Sequence, residues 1–73
     1  MSLSKPSVEA LMRTGVNVTV NAKNYNPDTL MGFVKIAMAM GTHLTIKEGG
    51  AAYSPATLEN IGKAGKKNVT IEV

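Results

Sequence analysis

The sequence predicts an α/β fold in which three helix-strand repeats form two layers. The sheet is expected to be parallel, with strand order 1-2-3 and all helices on one face, as in a short βα solenoid. Two near-identical hexapeptides, YNPDTL at 25–30 and YSPATL at 53–58, both have the pattern of a helix start. Three short runs alternate apolar and polar residues. Helix and strand patterns alternate at a spacing of about 22 to 28 residues, which indicates internal repetition.

The first repeat is expected over residues 4–21. A helix is predicted over residues 6–13, because Val8, Leu11 and Met12 form an apolar stripe and a glycine follows shortly after. Residues 16–21 read VNVTVN. Such alternation of β-branched and polar side chains is typical of a half-buried strand.

The second repeat is expected over residues 25–47. Asn26 is a good N-cap residue, and Pro27 suits the first helical position, where no amide hydrogen is needed. Tyr25 and Leu30 have the spacing of a hydrophobic staple. The helix is predicted to run to about residue 40, with Gly41 as a left-handed C-cap. A strand follows over residues 43–47.

The third repeat is expected over residues 53–73 and follows the same plan. Ser54 and Pro55 begin a helix, with Tyr53 and Leu58 as its staple. The helix is predicted to run to about residue 64, with Gly65 as its left-handed C-cap. The final strand is expected over residues 68–73.

The strand order follows from the two faces of the expected sheet. In a doubly wound sheet, helices cover both faces and strands are apolar throughout. Here one face is apolar and the other carries Asn, Thr, His, Lys and Glu, so the helices are placed on a single face. This architecture resembles in general form the leucine-rich class of βα solenoids, although the sequence lacks the consensus of that family. The apolar face is expected to carry Val16, Val18, Val20, Leu44, Ile46, Val69, Ile71 and Val73.

Length and composition limit the classes of protein. The 73 residues predict one domain, 1–73, with a small core, and the chain has no Cys and one His. Disulfides and metal or cofactor sites are therefore not expected to stabilise it. The net charge of +3 comes from 8 basic and 5 acidic residues that are spread along the chain. No signal peptide or membrane-spanning run is evident, so we expect a soluble, cytoplasmic protein without a membrane partner.

Few residues suggest catalysis. His43 is predicted on the polar face of the sheet near threonines, with no acid paired to it, so a structural role is expected. The chain is therefore predicted not to be an enzyme. A small enzyme centred on His43, completed by residues of a second subunit, is the third hypothesis.

The alternative function is binding of an anion or a nucleic acid. The loop of residues 48–54 leads from a strand into a helix start, where amides favour anions, but it matches neither the Walker nor the dinucleotide-binding pattern. Nucleic acid is not the favoured partner, because the chain has only two Tyr and one Phe for base stacking. The candidate anion contacts are Lys47, Gly49, Gly50, Lys66 and Lys67.

The leading hypothesis is a non-catalytic protein-interaction or assembly module that self-associates. No polar cap is visible on the terminal repeats, and an uncovered strand edge pairs with another chain or aggregates. A homo-oligomer is expected, most simply a twofold dimer, and another protein partner is an option. A further alternative is that the chain is one piece of a longer array. The candidate interaction residues are Met31, Lys35, Met38, Val69, Ile71 and Val73.

Overall fold

The computed structural model of the protein describes residues 3–51 and 53–73. Three α-helices alternate with three strands, and all strand pairing is parallel in the order β1-β2-β3. The predicted mixed α/β class, the parallel sheet and its strand order are therefore confirmed. Short 3-10 turns lie at Ala22–Asn24 and Lys66–Asn68. In chain order the main elements are α1 (Lys5–Met12), β1 (Val18–Asn21), α2 (Pro27–Met40), β2 (Leu44–Lys47), α3 (Pro55–Gly65) and β3 (Val69–Glu72).

Side-chain caps begin the second and third helices, as predicted. The amide of Thr29 donates to the side-chain oxygen of Asn26 at 2.8 Å. The amide of Thr57 donates to the hydroxyl of Ser54 at 3.2 Å. Each bond satisfies one of the amides that a helix start leaves unpaired. The first helix begins one residue earlier than predicted, at Lys5, and the hydroxyl of its N-cap residue, Ser4, bonds to Ser7 at 3.1 Å instead.

The helix ends differ from the prediction at one position. Gly41 has φ 68° and ψ 26°, so it is the expected left-handed cap. Gly65 has φ −92° and ψ −27°, so the prediction of a left-handed cap there is wrong. A Cβ atom at position 65 would lie 2.9 Å from Val69 Cβ and 3.2 Å from Val34 Cγ1. Glycine is therefore required at this position by close packing, and Lys66 adopts the positive φ instead, at 50°.

The core lies between the helices and one face of the sheet. Strand residues of alternate positions contribute to it, because successive side chains point to opposite faces. Val20 is level with Ile46, and Leu44 is level with Val18 on one side and Val69 on the other. The second strand is central, and both of its core side chains are fully buried. The buried apolar residues are Val8, Met12, Val20, Ala22, Leu30, Phe33, Val34, Ala37, Leu44, Ile46 and Ile61.

The strands are shorter than predicted at their ends. Val16 is 43% exposed and precedes β1, so its assignment to the apolar face is wrong. Pairing with β2 starts only where the amide of Val18 donates to the carbonyl of His43 at 3.3 Å. At the other end of the sequence, β3 stops at Glu72 and Val73 is fully exposed. None of the helices in the described part of the chain combines the length and the apolarity needed to cross a membrane.

Gly65→Ala is expected to destabilise the fold by about 1 to 3 kcal/mol, because the new methyl group overlaps Val69. Gly62→Ala is the matched control. It lies in the same helix, a Cβ there meets nothing within 4 Å, and replacing a helical glycine stabilises by up to about 1 kcal/mol. Urea unfolding followed by circular dichroism gives both values. Equal effects of the two substitutions would contradict the packing argument.

Lys66→Gly is expected to stabilise the fold by about 1 kcal/mol, because a residue with a side chain is strained at this positive φ whereas glycine is not. Lys67→Gly removes the same charge from the next residue and is expected to destabilise slightly. The measurement is again the free energy of unfolding in urea. A loss of stability in Lys66→Gly would show that the lysine side chain, and not its backbone, matters there.

Candidate functional site

The two tyrosines of the hexapeptides connect each helix start to an earlier part of the chain. The single hydroxyl hydrogen of Tyr53 is shared between two carbonyl acceptors, that of Ala22 at 3.0 Å and that of Tyr25. The Tyr25 hydroxyl donates to the carbonyl of Leu3 at 2.6 Å. The Tyr25 ring also meets Phe33 edge-on, with centroids 5.2 Å apart. The sequence predicted only that the two tyrosines take part in hydrophobic staples. A half-buried phenol needs a hydrogen-bond acceptor, and that need was the signal for the contacts of the hydroxyl groups.

The polar face of the sheet is arranged in rows across the three strands. Thr19, Thr45 and Thr70 are level with one another. Asn21, Lys47 and Glu72 form the next row. The buried strand side chains all lie on the opposite face of the sheet. Within the described part of the chain, therefore, no helix packs on the polar face.

His43 and two asparagines stand just before the strands and hold them together. The Asn17 side-chain oxygen accepts from the backbone amide of His43 at 2.8 Å. The side-chain amide of Asn68 donates to the carbonyl of Thr42 at 2.9 Å. The imidazole Nε2 of His43 lies 2.5 Å from the hydroxyl oxygen of Thr70. These bonds tie the amino ends of β1 and β3 to β2.

A histidine next to a hydroxyl is one part of a nucleophilic site, since an imidazole can accept the hydroxyl proton. Activation of a hydroxyl also needs a group that orients the imidazole. Within residues 3–51 and 53–73 no carboxylate is hydrogen-bonded to His43. In the same ranges, no group of three or more His, Cys, Asp or Glu side chains converges on a possible metal position. The geometry around His43 is that of a strand-to-strand connection.

The outer edges of β1 and β3 are unpaired within the described residues. In a parallel sheet, the amide and carbonyl of one residue point to the same side, and successive residues alternate. Val18 points its amide to β2, as its bond to His43 shows, so Thr19 and Asn21 point theirs to the free edge. On β3, the carbonyl of Glu72 accepts from Glu48 of the β2 side at 2.9 Å. The groups of Val69, Ile71 and Val73 therefore point to the other free edge.

A depression of about 210 Å³ accompanies the free edge of β1. It lies between that edge and α1, and its lining includes Leu3 and Leu11, which are large apolar side chains with substantial exposure. The edge of a sheet, with apolar side chains beside unpaired backbone groups, is suited to receive a further strand. The remaining lining residues are Val8, Val18, Thr19, Val20, Asn21, Asn24 and Tyr25.

The predicted interaction residues fall into two separate groups. Met31, Lys35 and Met38 lie on α2, where Met38 is 45% exposed. Met31 lines a groove beside α3, and Lys35 lines another groove with Arg13 of the segment after α1. The other three residues belong to the β3 edge, where Val69 and Ile71 pack against the core and Val73 is free. The structure does not join these two groups into one surface.

The predicted anion contacts are also divided. Lys47 ends β2, level with Glu72 at the carboxyl end of the sheet. Lys66 and Lys67 precede β3 and so lie at the amino end, roughly 15 Å away at about 3.3 Å per strand residue. Between Lys47 and α3, Gly49 and Gly50 form a turn with positive φ values of 52° and 82°. The Gly50 amide already donates to the carboxylate of Glu48 at 3.1 Å, which places a negative charge in this loop.

Comparisons with protein-family models, with curated proteins and with solved structures found no match for this chain.

Tyr53→Phe tests the connection between the helix starts. At neutral pH it is expected to lower the free energy of unfolding by about 1 kcal/mol, since two carbonyls lose a donor. Desolvation raises the pKa of Tyr53 above its ordinary value, so the folded state favours the neutral phenol. Its contribution is fully present below the ordinary pKa, near 10, and is lost as the pH rises through the higher folded value.

The wild-type protein and Tyr53→Phe should therefore converge in stability at strongly alkaline pH. Urea unfolding at a series of pH values measures this difference, and the lysines cancel because both proteins contain them. Tyr25→Phe is the control, because its hydroxyl bonds to an exposed carbonyl and a smaller effect is expected. A difference between wild type and Tyr53→Phe that stays constant at every pH would contradict the role of the hydroxyl.

Proposed function

We propose that the chain is a stack of three equivalent helix-strand repeats, a short βα solenoid, and that it acts as a non-catalytic assembly module. Its activity in this proposal is self-association through the two ends of the stack. Support comes from a comparison of corresponding positions in the three helices. A position that is buried in the middle of a stack but exposed at an end marks a surface that lacks its neighbour.

The seventh residue of each helix carries the proposal. These residues are Leu11, Phe33 and Ile61. Phe33 and Ile61 are 0% and 1% exposed, whereas Leu11 is 43% exposed. The later two each have a preceding helix beside them, because α2 packs against α1 and α3 packs against α2. Leu11 has no preceding helix within the described residues, and burying it would contribute up to about 2 kcal/mol.

The opposite end of the stack shows the reverse pattern. At the fourth helical position, Val8 and Leu30 are buried, but Leu58 is only partly buried. In the strands, the core residues of β2 are fully buried, whereas Val69 and Ile71 of β3 remain partly exposed. Both ends therefore present apolar side chains next to an unpaired strand edge, which is the combination that favours pairing with another chain.

The alternative, an anion or nucleic-acid binding protein, has less support. Lys47 is far from Lys66 and Lys67 along the sheet, and the loop amide of Gly50 bonds to Glu48. A basic binding site needs its cations on one surface. This alternative predicts association that falls steeply with salt, because counterions are released on binding. Association through apolar ends is expected to be nearly independent of salt.

Light scattering on a size-exclusion column tests the proposed function. The wild-type protein, at several concentrations and at low and high salt, is expected to show a mass that rises with concentration and changes little with salt. A twofold dimer is the smallest assembly that would satisfy this result. A mass equal to one chain at every concentration would overturn the proposal.

Leu11→Lys is expected to weaken this association by about tenfold or more, because it places a charge in the apolar contact. Ala39→Lys is the matched control, since it adds the same charge to an exposed position of the central helix, away from both ends. Equal weakening by both substitutions would show that net charge, and not the end surface, controls association.

A further inference from the structure

We infer that the self-association is head to tail: the free edge of β3 in one copy pairs, in parallel, with the free edge of β1 in the next copy. This inference rests on the proposed function and names its partner, a second copy of the chain, and the two unlike surfaces that meet. It differs from a twofold dimer, in which one surface would contact its own copy.

The inference is supported by the pattern of residues whose backbone amides and carbonyls point outward along the two free edges. Between β1 and β2, the backbone amides and carbonyls that bond across the pair belong to Val18 and Val20 in the first strand. In the second strand they belong to the residues on either side of Leu44 and Ile46. Between β2 and β3 the same rule holds, as the bond from Glu48 to Glu72 shows. On the free edge of β3, the outward amides and carbonyls belong to Val69, Ile71 and Val73.

The free edge of β1 offers the complementary positions. Thr19 and Asn21 point their amides and carbonyls outward, so they fall between Val69, Ile71 and Val73 when the two strands are set in the internal register. In that register Val69 is level with Val18 of the next copy, and Ile71 is level with its Val20. The sheet then continues without a shift, and each apolar side chain stays on the core face.

The helix layer favours the same arrangement. If the next copy is placed as each repeat is placed relative to the one before it, its α1 lies beside α3. Leu11 of that copy then gains the preceding helix that Phe33 and Ile61 already have. On α3, the partly exposed Leu58 and Gly62 occupy the positions that the buried Leu30 and Val34 occupy on α2, where Val34 lies close to Gly65 of α3. They come to face the helix of the next copy. One contact thus covers both ends. A twofold contact about β1 covers Leu11 but leaves the β3 edge of each chain open.

Charge is compatible with this contact. The row at the carboxyl end of the sheet reads Asn21, Lys47 and Glu72, so the next residue across the new contact is the neutral Asn21 of the following copy. Like charges opposite one another in a sheet would be unfavourable, and none arises here. Because the two surfaces differ, the assembly does not close on itself after two copies. It grows as an open stack or closes as a ring.

Two variants that each block one end test the inference. The first combines Leu11→Lys with Thr19→Pro, which removes an outward amide from β1 at a position that an edge strand tolerates. The second combines Gly62→Arg with Val73→Pro; a Cβ at Gly62 meets nothing within 4 Å, and Val73 is fully exposed. Circular dichroism and thermal unfolding first confirm that each variant is folded. If a proline variant does not fold, Leu11→Lys and Gly62→Arg are used alone.

Sedimentation velocity of each variant and of their equimolar mixture gives the result. Head-to-tail contact predicts that each variant alone is a monomer at concentrations where the wild type associates, and that the mixture forms a one-to-one dimer. Each dimer would use the intact β3 edge of the first variant and the intact β1 edge of the second. The Ala39→Lys variant is the control and is expected to assemble like the wild type.

Four other results would overturn the inference. A dimer of the first variant alone means a twofold contact through β3, and a dimer of the second variant alone means a twofold contact through β1. Either result leaves the proposed function intact. A mixture that stays monomeric, while the wild type associates, shows that the contact uses neither pair of ends. A wild-type protein that is monomeric at every concentration overturns the proposed function together with the inference.

Discussion

Parallel pairing of β2 with both of its neighbours determines the layout of this molecule, from its core to its free edges. Leu44 and Ile46 are fully buried, and they are level with apolar residues of both outer strands. The register sets which side chains reach the helices and which backbone groups point outward. Asn17 and Asn68 reinforce the register at the amino end, because their side chains bond to the backbone just before β2.

This pairing leaves the molecule with a small core and two unlike ends. Within residues 3–51 and 53–73, helices cover only one face of the sheet, and strands of four residues leave little apolar surface to bury. The tyrosines compensate locally, since Tyr53 joins the start of the third helix to the turn after β1. At the ends no such compensation is present in the described ranges. We propose that a further copy repeats the parallel contact that joins neighbouring strands within the chain.

The sequence predicted those features that arise locally. Asn26 with Pro27, and Ser54 with Pro55, begin helices because a cap depends only on the residues that follow it. Strand order could be predicted because the alternation of apolar and polar residues leaves one face for the helices. The start of β1 was misjudged, because Val16 has the right residue type and pairing alone decides where a strand starts.

Features that depend on tertiary contacts could not be predicted. Glycine at position 65 was taken for a left-handed cap, but its small size is required by Val69, which folds back on it. The acceptors of the tyrosine hydroxyls are backbone carbonyls, which have no sequence signature. For the candidate site, the sequence indicated the open β3 edge, but the groove beside β1 and the exposure of Leu11 required the packed structure. The candidate residues Met31, Lys35 and Met38 lie on α2, and Val69 and Ile71 lie on β3.

Amide hydrogen exchange, followed by NMR at increasing protein concentration, reports whether the free edges of β1 and β3 pair with each other. Head-to-tail pairing predicts that the Val18 and Val20 amides, which point to β2, are protected at every concentration. The outward amides of Thr19 and Asn21 on β1, and of Ile71 on β3, should gain protection together as the concentration rises. Outward amides that exchange rapidly at all concentrations, or protection that rises at one edge and not at the other, would contradict it.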